Sequence, residues 1–235
     1  MTSSLGPQSL EHARFALVDV ETTGGRASHG GRILEVAVAI LEGGTIHLAF
    51  EALLDPGTPI PPWVARLTGI SDGMVAGRPR FGDVAADVAR ALDAAVFVAH
   101  NARFDWRFLA AECVAVGAPA PGGKPLCTVR LTRRLVPELR HRGLDQVATF
   151  FGIDNPARHR AFGDALATAR VLRVLLERAR ERGVETLEQL VELHDRPRHA
   201  KTRNAEVGTR NIGACASAPA IIPDRSALRV PRSDF

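Results

Sequence analysis

Cysteine is scarce and widely scattered in this chain of 235 residues. Its three cysteines, Cys113, Cys127 and Cys215, are odd in number and form no C-x-x-C pair, so the sequence indicates neither a disulfide framework nor a thiolate zinc site. Because cysteine is often buried as a small apolar side chain, we expect reduced thiols that lie partly in the core.

Long apolar runs are also missing. The longest run, from Ile33 to Leu41, is interrupted by Glu35 and is far shorter than the roughly 20 residues that a membrane span needs. The first residues, MTSSLGPQSLEHAR, contain neither a basic leader nor an apolar signal region. We therefore expect a cytoplasmic protein with no membrane partner.

The excess of positive charge is confined to the last part of the chain. Residues 195–235 contain eight Lys and Arg against four Asp and Glu, which equals the whole net charge of +4. This segment is rich in Arg, Pro, Ala, Asn and Ser and has no periodicity, so we expect a basic, poorly ordered tail. The length and the 46% hydrophobic content predict one catalytic domain, in residues 1–194.

The pattern of apolar residues predicts strands first and helices later. Period-two and continuous apolar segments indicate strands, Gly43 and Gly44 indicate a tight hairpin turn, and later segments have helical spacing. The predicted strands are Phe15 to Glu21, Arg32 to Leu41, Thr45 to Leu54 and Ala95 to Ala99. The predicted helices cover about 81–92, Arg103 to Val116, Thr128 to Leu135, Leu144 to Phe151 and Ala161 to Arg182, and the segments DPGTPIPPW and PAPGGKP are predicted loops.

A first group of polar residues lies at the end of the first strand, in ALVDVETTG. Side chains alternate along a strand, so Asp19 and Glu21 share one face and point to the same place. Such an acidic pair is more often a solvated edge. Here, Thr22, Thr23 and Gly24 follow directly and supply hydroxyls, backbone N–H groups and a flexible turn for the end of a polar ligand.

Two further polar groups stand where a strand or a loop leads into a helix. The segment HNARFD, from His100 to Asp105, ends the fourth strand, where α/β folds commonly bind ligands. The segment HRAFGD, from His159 to Asp164, opens the long last helix. Taken singly, an aspartate in a first helical turn complements the helix dipole, and a loop histidine is usually solvated.

Taken together, the four acids of these groups would repel one another and raise each other's pKa values unless cations compensated them. Two divalent ions balance four negative charges, and oxygen ligands without cysteine favour Mg²⁺ or Mn²⁺. Two ions about 3.5 to 4 Å apart stabilise the attacking and leaving oxygens of a phosphodiester, and a neutral histidine accepts a proton from the attacking water. The pattern therefore predicts hydrolysis of nucleic acid.

The three segments match D-x-E-T-T-G, H-N-x-x-F-D and H-R-A-x-x-D-A, and they resemble the motifs of the DEDDh exonucleases. This DnaQ-like family includes the proofreading epsilon subunit of bacterial DNA polymerase III, and the likeness covers about residues 13–180. The sister subclass has a tyrosine in place of the histidine and is excluded, because this chain contains no tyrosine. The resemblance implies a ribonuclease-H-like α/β fold, with a mixed five-stranded sheet flanked by helices.

The resemblance also implies a role for each motif residue. Asp19 bridges two Mg²⁺ or Mn²⁺ ions, Glu21 and Asp164 complete one metal site, Asp105 helps hold the other, and His159 is the general base. The expected contacts to the terminal nucleotide are Thr22, Thr23, Gly24, Asn101 and Phe104, with Leu67 or Ile70 wedged against the neighbouring base.

The implied activity is 3′-to-5′ removal of nucleotides from DNA with a free 3′ end, in proofreading beside a replicative DNA polymerase or in repair. An RNA exonuclease of the same family is a second reading, because the motifs around the metals do not determine the sugar. A third reading is a non-catalytic nucleic-acid-binding or polymerase-scaffold module. Concentrated negative charge argues against the third reading, since a pure binder of phosphates gains nothing from it.

Overall fold

A five-stranded mixed sheet forms the centre of the computed structural model, which describes residues 8–197. Its strands are β1 (Phe15–Thr22), β2 (Ile33–Glu42), β3 (Thr45–Leu53), β4 (Val96–Ala99) and β5 (Leu126–Cys127). The strand order is β3-β2-β1-β4-β5, in which β1, β2 and β3 pair antiparallel while β4 runs parallel to both β1 and β5. This confirms the ribonuclease-H-like mixed sheet.

The predicted hairpin joins β2 and β3. Gly43 and Gly44 both have positive φ, 55° and 78°, as the two central positions of a type I′ turn require. Glycine adopts this conformation without a Cβ clash. The turn sets the register in which Glu42 lies opposite Thr45 and Leu41 opposite Ile46.

Helices cover both faces of the sheet. Within the described residues they are α1 (Pro62–Thr68), α2 (Asp72–Val75), α3 (Phe81–Leu92), α4 (Arg103–Ala115), α5 (Thr128–Leu135), α6 (Leu144–Phe150), α7 (Ala161–Arg180) and α8 (Leu187–Asp195). Leu17 of β1 belongs to the core that α7 covers, whereas Val18 and Val20 belong to the core under α3 and α4. Asp19 and Glu21 are therefore in phase with Leu17, on the α7 side of β1.

A one-residue bulge at Leu34 interrupts the pairing of β1 with β2. Glu21 pairs with Glu35, but the next residue, Thr22, pairs with Ile33. The Leu34 side chain instead packs in a small separate core beneath α1 and α2. The other buried members of that core are Ile60, Val64, Ile70 and Val75.

Several elements differ from the prediction. The predicted loop DPGTPIPPW overlaps α1, which begins at Pro62 because proline is well suited to the first helical position, and ends before Gly69, whose φ is 72°. The short elements α2 and β5 had no sequence signal of their own. Asp195, the first residue of the predicted tail, still belongs to α8, and residues 198–235 lie outside the described residues.

The expectations that were based on the lack of long apolar runs and on the small number of cysteines can be compared with the structure of residues 8–197. In this range, no helix combines the length and apolar character needed to cross a membrane. Cys113 is buried and Cys127 is half-buried, and both are free thiols, as expected. Cys215 lies outside the described residues.

Candidate active site

Three elements bring the predicted acids to one end of the sheet. β1 carries Asp19 and Glu21, the first turn of α4 carries Asp105, and the first turn of α7 carries Asp164. The parallel pairing of β1 with β4 places the start of α4 beside β1. There the Val20 N–H donates to Asp105 Oδ1 at 3.2 Å and fixes this carboxylate.

The tightest part of the site contains Glu21, His159 and Asp164. One potential ligand atom of each side chain lies within 4.8 Å of the other two, and all three residues are half-buried. Within residues 8–197, this is the one group of three histidine, cysteine or acidic side chains close enough together to hold a metal ion. The third motif and the first motif therefore meet at one point.

The loop before α7 is held in place around His159. The His159 N–H donates to Asp164 Oδ2 at 3.2 Å, and the Asn155 amide donates to Asp164 Oδ1 at 2.5 Å. His159 has a φ of 57°, a left-handed conformation that costs about 1–2 kcal/mol in a residue with a side chain. Gly163 allows the close packing, since a Cβ there would lie 2.1 Å from the Ala157 carbonyl oxygen.

Burial raises the pKa values of the four acids, and negatively charged neighbours add to the rise. Burial first, and then the neighbouring negative charges, raise the pKa of Asp19 well above its ordinary value and that of Glu21 to about 8. Burial also raises the pKa of Asp105 to about 7, and it raises that of Asp164. Within residues 8–197, none of the four carboxylates forms an ion pair with a lysine or arginine.

This donor set fits divalent cations. Four carboxylates supply hard oxygen ligands, and neither Cys113 nor Cys127 belongs to the metal-sized group. A bound cation would compensate the charge that raises the pKa values, and it would favour the ionised form of every acid.

An ion pair with a buried glutamate, which the sequence analysis did not assign to the site, anchors α7. Glu35 is 1% exposed and lies opposite Glu21 in the sheet. Its carboxylate accepts hydrogen bonds from Arg160 Nε at 3.1 Å, Arg160 Nη2 at 2.5 Å and the Ala161 N–H at 2.8 Å. The first turn of α7, which carries Asp164, is therefore fixed to β2. The available signal was a glutamate inside an apolar run, together with an arginine directly after the motif histidine.

A second ion pair with a buried glutamate anchors the loop between β1 and β2 to α4. Glu112 is 4% exposed. Its carboxylate accepts hydrogen bonds from Nε and Nη2 of Arg32, both at 2.8 Å, and from the Ile33 N–H at 3.1 Å. The Arg32 N–H donates to Thr23 Oγ1 at 2.9 Å, and the Thr23 N–H donates to the Arg32 carbonyl at 2.9 Å. These contacts therefore hold the loop at both of its ends, at Thr23 and at Arg32.

The residues expected to contact the terminal nucleotide differ in accessibility. Thr22 and Thr23 are buried, and Gly24 is half-buried. The Thr22 hydroxyl donates to the carbonyl of Gly24 at 2.8 Å. Asn101 is exposed, with a φ of 72°, and Phe104 is half-buried with its ring centroid 4.9 Å from that of Phe108. The side chains of Asn101 and Phe104 are thus accessible to a ligand, whereas Thr22 and Thr23 could contact it mainly through their backbone groups.

The two proposed wedge residues have opposite environments. Leu67 on α1 is 49% exposed, whereas Ile70 is fully buried in the small core with Leu34. Ile70 would have to leave this core to contact a base, so Leu67 is the accessible candidate.

His100, the first residue of the second motif, is half-buried and tied to the chain around it. Its Nε2 lies 2.9 Å from the Arg142 carbonyl, and its Nδ1 lies 2.8 Å from the Thr128 hydroxyl. The carbonyl only accepts, so Nε2–H donates to it and Nδ1 accepts from the hydroxyl. Burial lowers the pKa of His100 and favours this neutral form, which supports the turn at Asn101.

A family model described as exonuclease matches residues 17–172, a range that contains all four acids and His159. The chain belongs to the exonuclease family. Its acids, its histidine and its mixed sheet place it in the DnaQ-like 3′-to-5′ branch, of DEDDh type. Membership of this exonuclease family implies dependence on divalent metal and binding of nucleic acid.

Similar proteins include far longer chains and one shorter chain. The exonuclease chain is 36% identical over 184 residues to the 3′-5′ exonuclease DinG of Bacillus subtilis, covering 78% of this chain and 20% of that protein. It is 32% identical over 236 residues to the PolC-type DNA polymerase III of Bacillus subtilis, covering 96% and 16%. It thus spans a fifth or less of either relative. The solved structure of Exonuclease X in complex with 5′ overhanging duplex DNA has 28% sequence identity and a TM-score of 0.61, covering 77% of this chain and 99% of that one.

Proposed function

We propose that this chain removes nucleotides from the 3′ end of DNA by hydrolysis with two divalent ions. The observation that carries the proposal is the group formed by Glu21, His159 and Asp164, whose ligand atoms lie within 4.8 Å of one another. Asp19 and Asp105 complete the group electrostatically, because the charge of Asp105 is the largest electrostatic contribution to the raised pKa of Asp19. The DNA-bound Exonuclease X structure supports DNA as the substrate.

In this proposal the four acids would hold two Mg²⁺ or Mn²⁺ ions, which would supply positive charge for activation of a water and for stabilisation of the leaving oxygen. Asp19 would be the ligand shared by the two ions, as the family resemblance implies, and its position supports this role, since burial and then the charges of Asp105, Asp164 and Glu21 raise its pKa. Asp105, fixed by the Val20 N–H, serves one ion, and Glu21 with Asp164 serves the other.

His159 is the proposed proton acceptor for the attacking water. Its side chain lies in the tight group, and the hydrogen bond from its backbone N–H to Asp164 links its position to a proposed metal ligand. Neutral imidazole accepts a proton readily near pH 7. We assign the terminal nucleotide to the surface formed by Thr22, Thr23, Gly24, Asn101, Phe104 and Leu67.

A degradation assay with matched oligonucleotides tests the activity. The chain is incubated with Mg²⁺ and 5′-labelled single-stranded, 3′-recessed and 3′-mismatched DNA, with RNA of the same sequence and with an Asp19→Asn control. We expect stepwise shortening of DNA from the 3′ end that is faster than that of RNA and is lost in Asp19→Asn. No shortening, or shortening that survives this substitution, contradicts the proposal, and faster degradation of RNA reassigns the substrate.

We further propose work beside a replicative polymerase, because the matching region of the PolC-type relative is part of a polymerase chain. Preferential removal of mismatched over paired 3′ ends, together with co-elution with a replicative polymerase in gel filtration, is the expected result. Equal rates and separate elution would favour independent repair.

A further inference from the structure

A cleft lined by three arginines lies beside the candidate active site. It has a volume of about 730 Å³ and is formed by α4 and by residues 25–28 of the loop between β1 and β2. Asn101 and Phe104, two of the proposed nucleotide contacts, also line it. The arginines are Arg26, Arg103 and Arg107.

The charge of this cleft is uncompensated within the described residues. All three arginines are exposed, and in residues 8–197 none of their side chains forms an ion pair or a hydrogen bond. No aspartate or glutamate lines the cleft. Arg103 and Arg107 are four residues apart on α4, so they share one helix face at a Cβ separation of about 6 Å. This is a concave site for an extended anion.

The cleft is preformed, because its loop rests directly on α4. A Cβ at Gly31 would lie 2.8 Å from the Arg26 carbonyl oxygen and 3.1 Å from the Phe108 ring, so only glycine allows this approach. The Gly31 N–H donates to the same Arg26 carbonyl at 3.2 Å. Together with the Arg32 to Glu112 ion pair, these contacts hold the backbone of Arg26 opposite α4.

We propose that this arginine cleft binds the phosphodiester backbone of the substrate strand upstream of the scissile bond. The inference rests on the proposed function, since the acids define where the 3′ end lies. Phe104 itself lines the cleft together with Arg103 and Arg107, so a strand that ends at the acids and stacks a base on Phe104 continues into the cleft. Guanidinium groups match phosphate oxygens, and their positive charge offsets the repulsion between the strand and the acid cluster.

Substrates of two lengths test the proposal. A dinucleotide contains only the scissile phosphate, whereas an eight-nucleotide single strand also reaches the cleft. In the variants Arg26→Gln and Arg103→Gln/Arg107→Gln, kcat/KM for the eight-nucleotide strand is expected to fall about tenfold or more, through KM. The loss for the dinucleotide is expected to be much smaller. Arg173→Gln/Arg180→Gln is the matched control, since these exposed arginines lie on α7, away from the cleft.

A binding measurement separates this inference from the proposed function. Fluorescence anisotropy of the labelled eight-nucleotide strand in EDTA is measured against salt, and the double cleft variant should lower the slope of log Kd against log salt by about 1.4. If the wild type degrades neither substrate but the slope changes, the proposed function fails and the cleft stands. Equal losses for both lengths, a slope equal to that of the control, or a loss confined to duplex substrates would overturn the cleft proposal.

Discussion

Carboxylates at this end of the sheet fall into two groups with opposite surroundings. Glu35 and Glu112 each bind an arginine and a backbone N–H at the start of α7 or β2. The four motif acids form no ion pair with lysine or arginine within residues 8–197, and burial together with negatively charged neighbours raises their pKa values. The paired glutamates stabilise the framework, whereas the unpaired acids keep a charge that a cation must compensate.

The largest expected effect separates the two groups directly. Asp19→Asn should reduce exonuclease turnover by at least about 10³-fold, because a ligand shared by both ions is lost. The same change should raise the stability of the ion-free protein by about 1 kcal/mol at a pH where the acids are ionised, because a repelled charge is removed. The matched substitution Glu112→Gln should lower stability by about 2 kcal/mol. Degradation rates measure turnover, and urea unfolding in EDTA measures stability. A loss of stability in Asp19→Asn would contradict the distinction between the two groups of carboxylates.

The histidine among the unpaired acids should behave differently from them. His159→Ala is expected to lower turnover by about 10²-fold, because only the proton acceptor is removed. The rise in melting temperature on adding Mg²⁺ should remain close to that of the wild type. Loss of this Mg²⁺ effect would make His159 a metal ligand instead of a base.

The pair of Glu35 and Arg160 is expected to act through position. Glu35→Gln should lower kcat about tenfold with little change in KM, because the first turn of α7 loses its anchor and Asp164 shifts. Arg160→Gln should have a similar effect, and the double variant should show strong non-additivity. Additive losses, or a change confined to KM, would contradict a positioning role.

The smallest expected effect is on the pH dependence of stability. The folded state holds the Glu21 proton more tightly than the unfolded state, since its pKa rises from 4.5 to about 8. Stability of the ion-free protein is therefore expected to fall as pH rises through this window, by on the order of 1 kcal/mol per pH unit. Glu21→Gln should flatten the decline, and Mg²⁺ should offset it in the wild type. Superimposable curves for variant and wild type in EDTA would refute this assignment.

The sequence predicts those parts of the molecule whose signal is local. Period-two apolar residues located β1 to β3, Gly43 with Gly44 located their turn, and the motif positions at the ends of β1 and β4 indicated where the acids meet. The anchoring ion pairs are not local, because Glu35 and Arg160 are 125 positions apart and Arg32 and Glu112 are 80 apart. No periodicity connects such residues, so only the fold reveals them.

Short elements were missed for a different reason. α1 has seven residues and α2 has four, too few for a helical apolar pattern to be recognised, and both follow a proline-rich segment that predicts a loop. Ile70 was named as a base contact beside Leu67 because both belong to the same segment. Only packing distinguishes the buried side chain from the exposed one.

The bulge at Leu34 has a consequence for how the molecule opens. It turns one side chain of β2 away from the two large cores and into the small core of Ile60, Val64, Ile70 and Val75. A unit with so few buried contacts unfolds locally at a lower free energy than the sheet. Backbone amides of α1 and α2 should therefore exchange with deuterium earlier than those of β1 and β2. Leu67, the proposed base contact, thus lies on the part of the fold that is expected to unfold first. The acid site beside it lies on the more stable sheet.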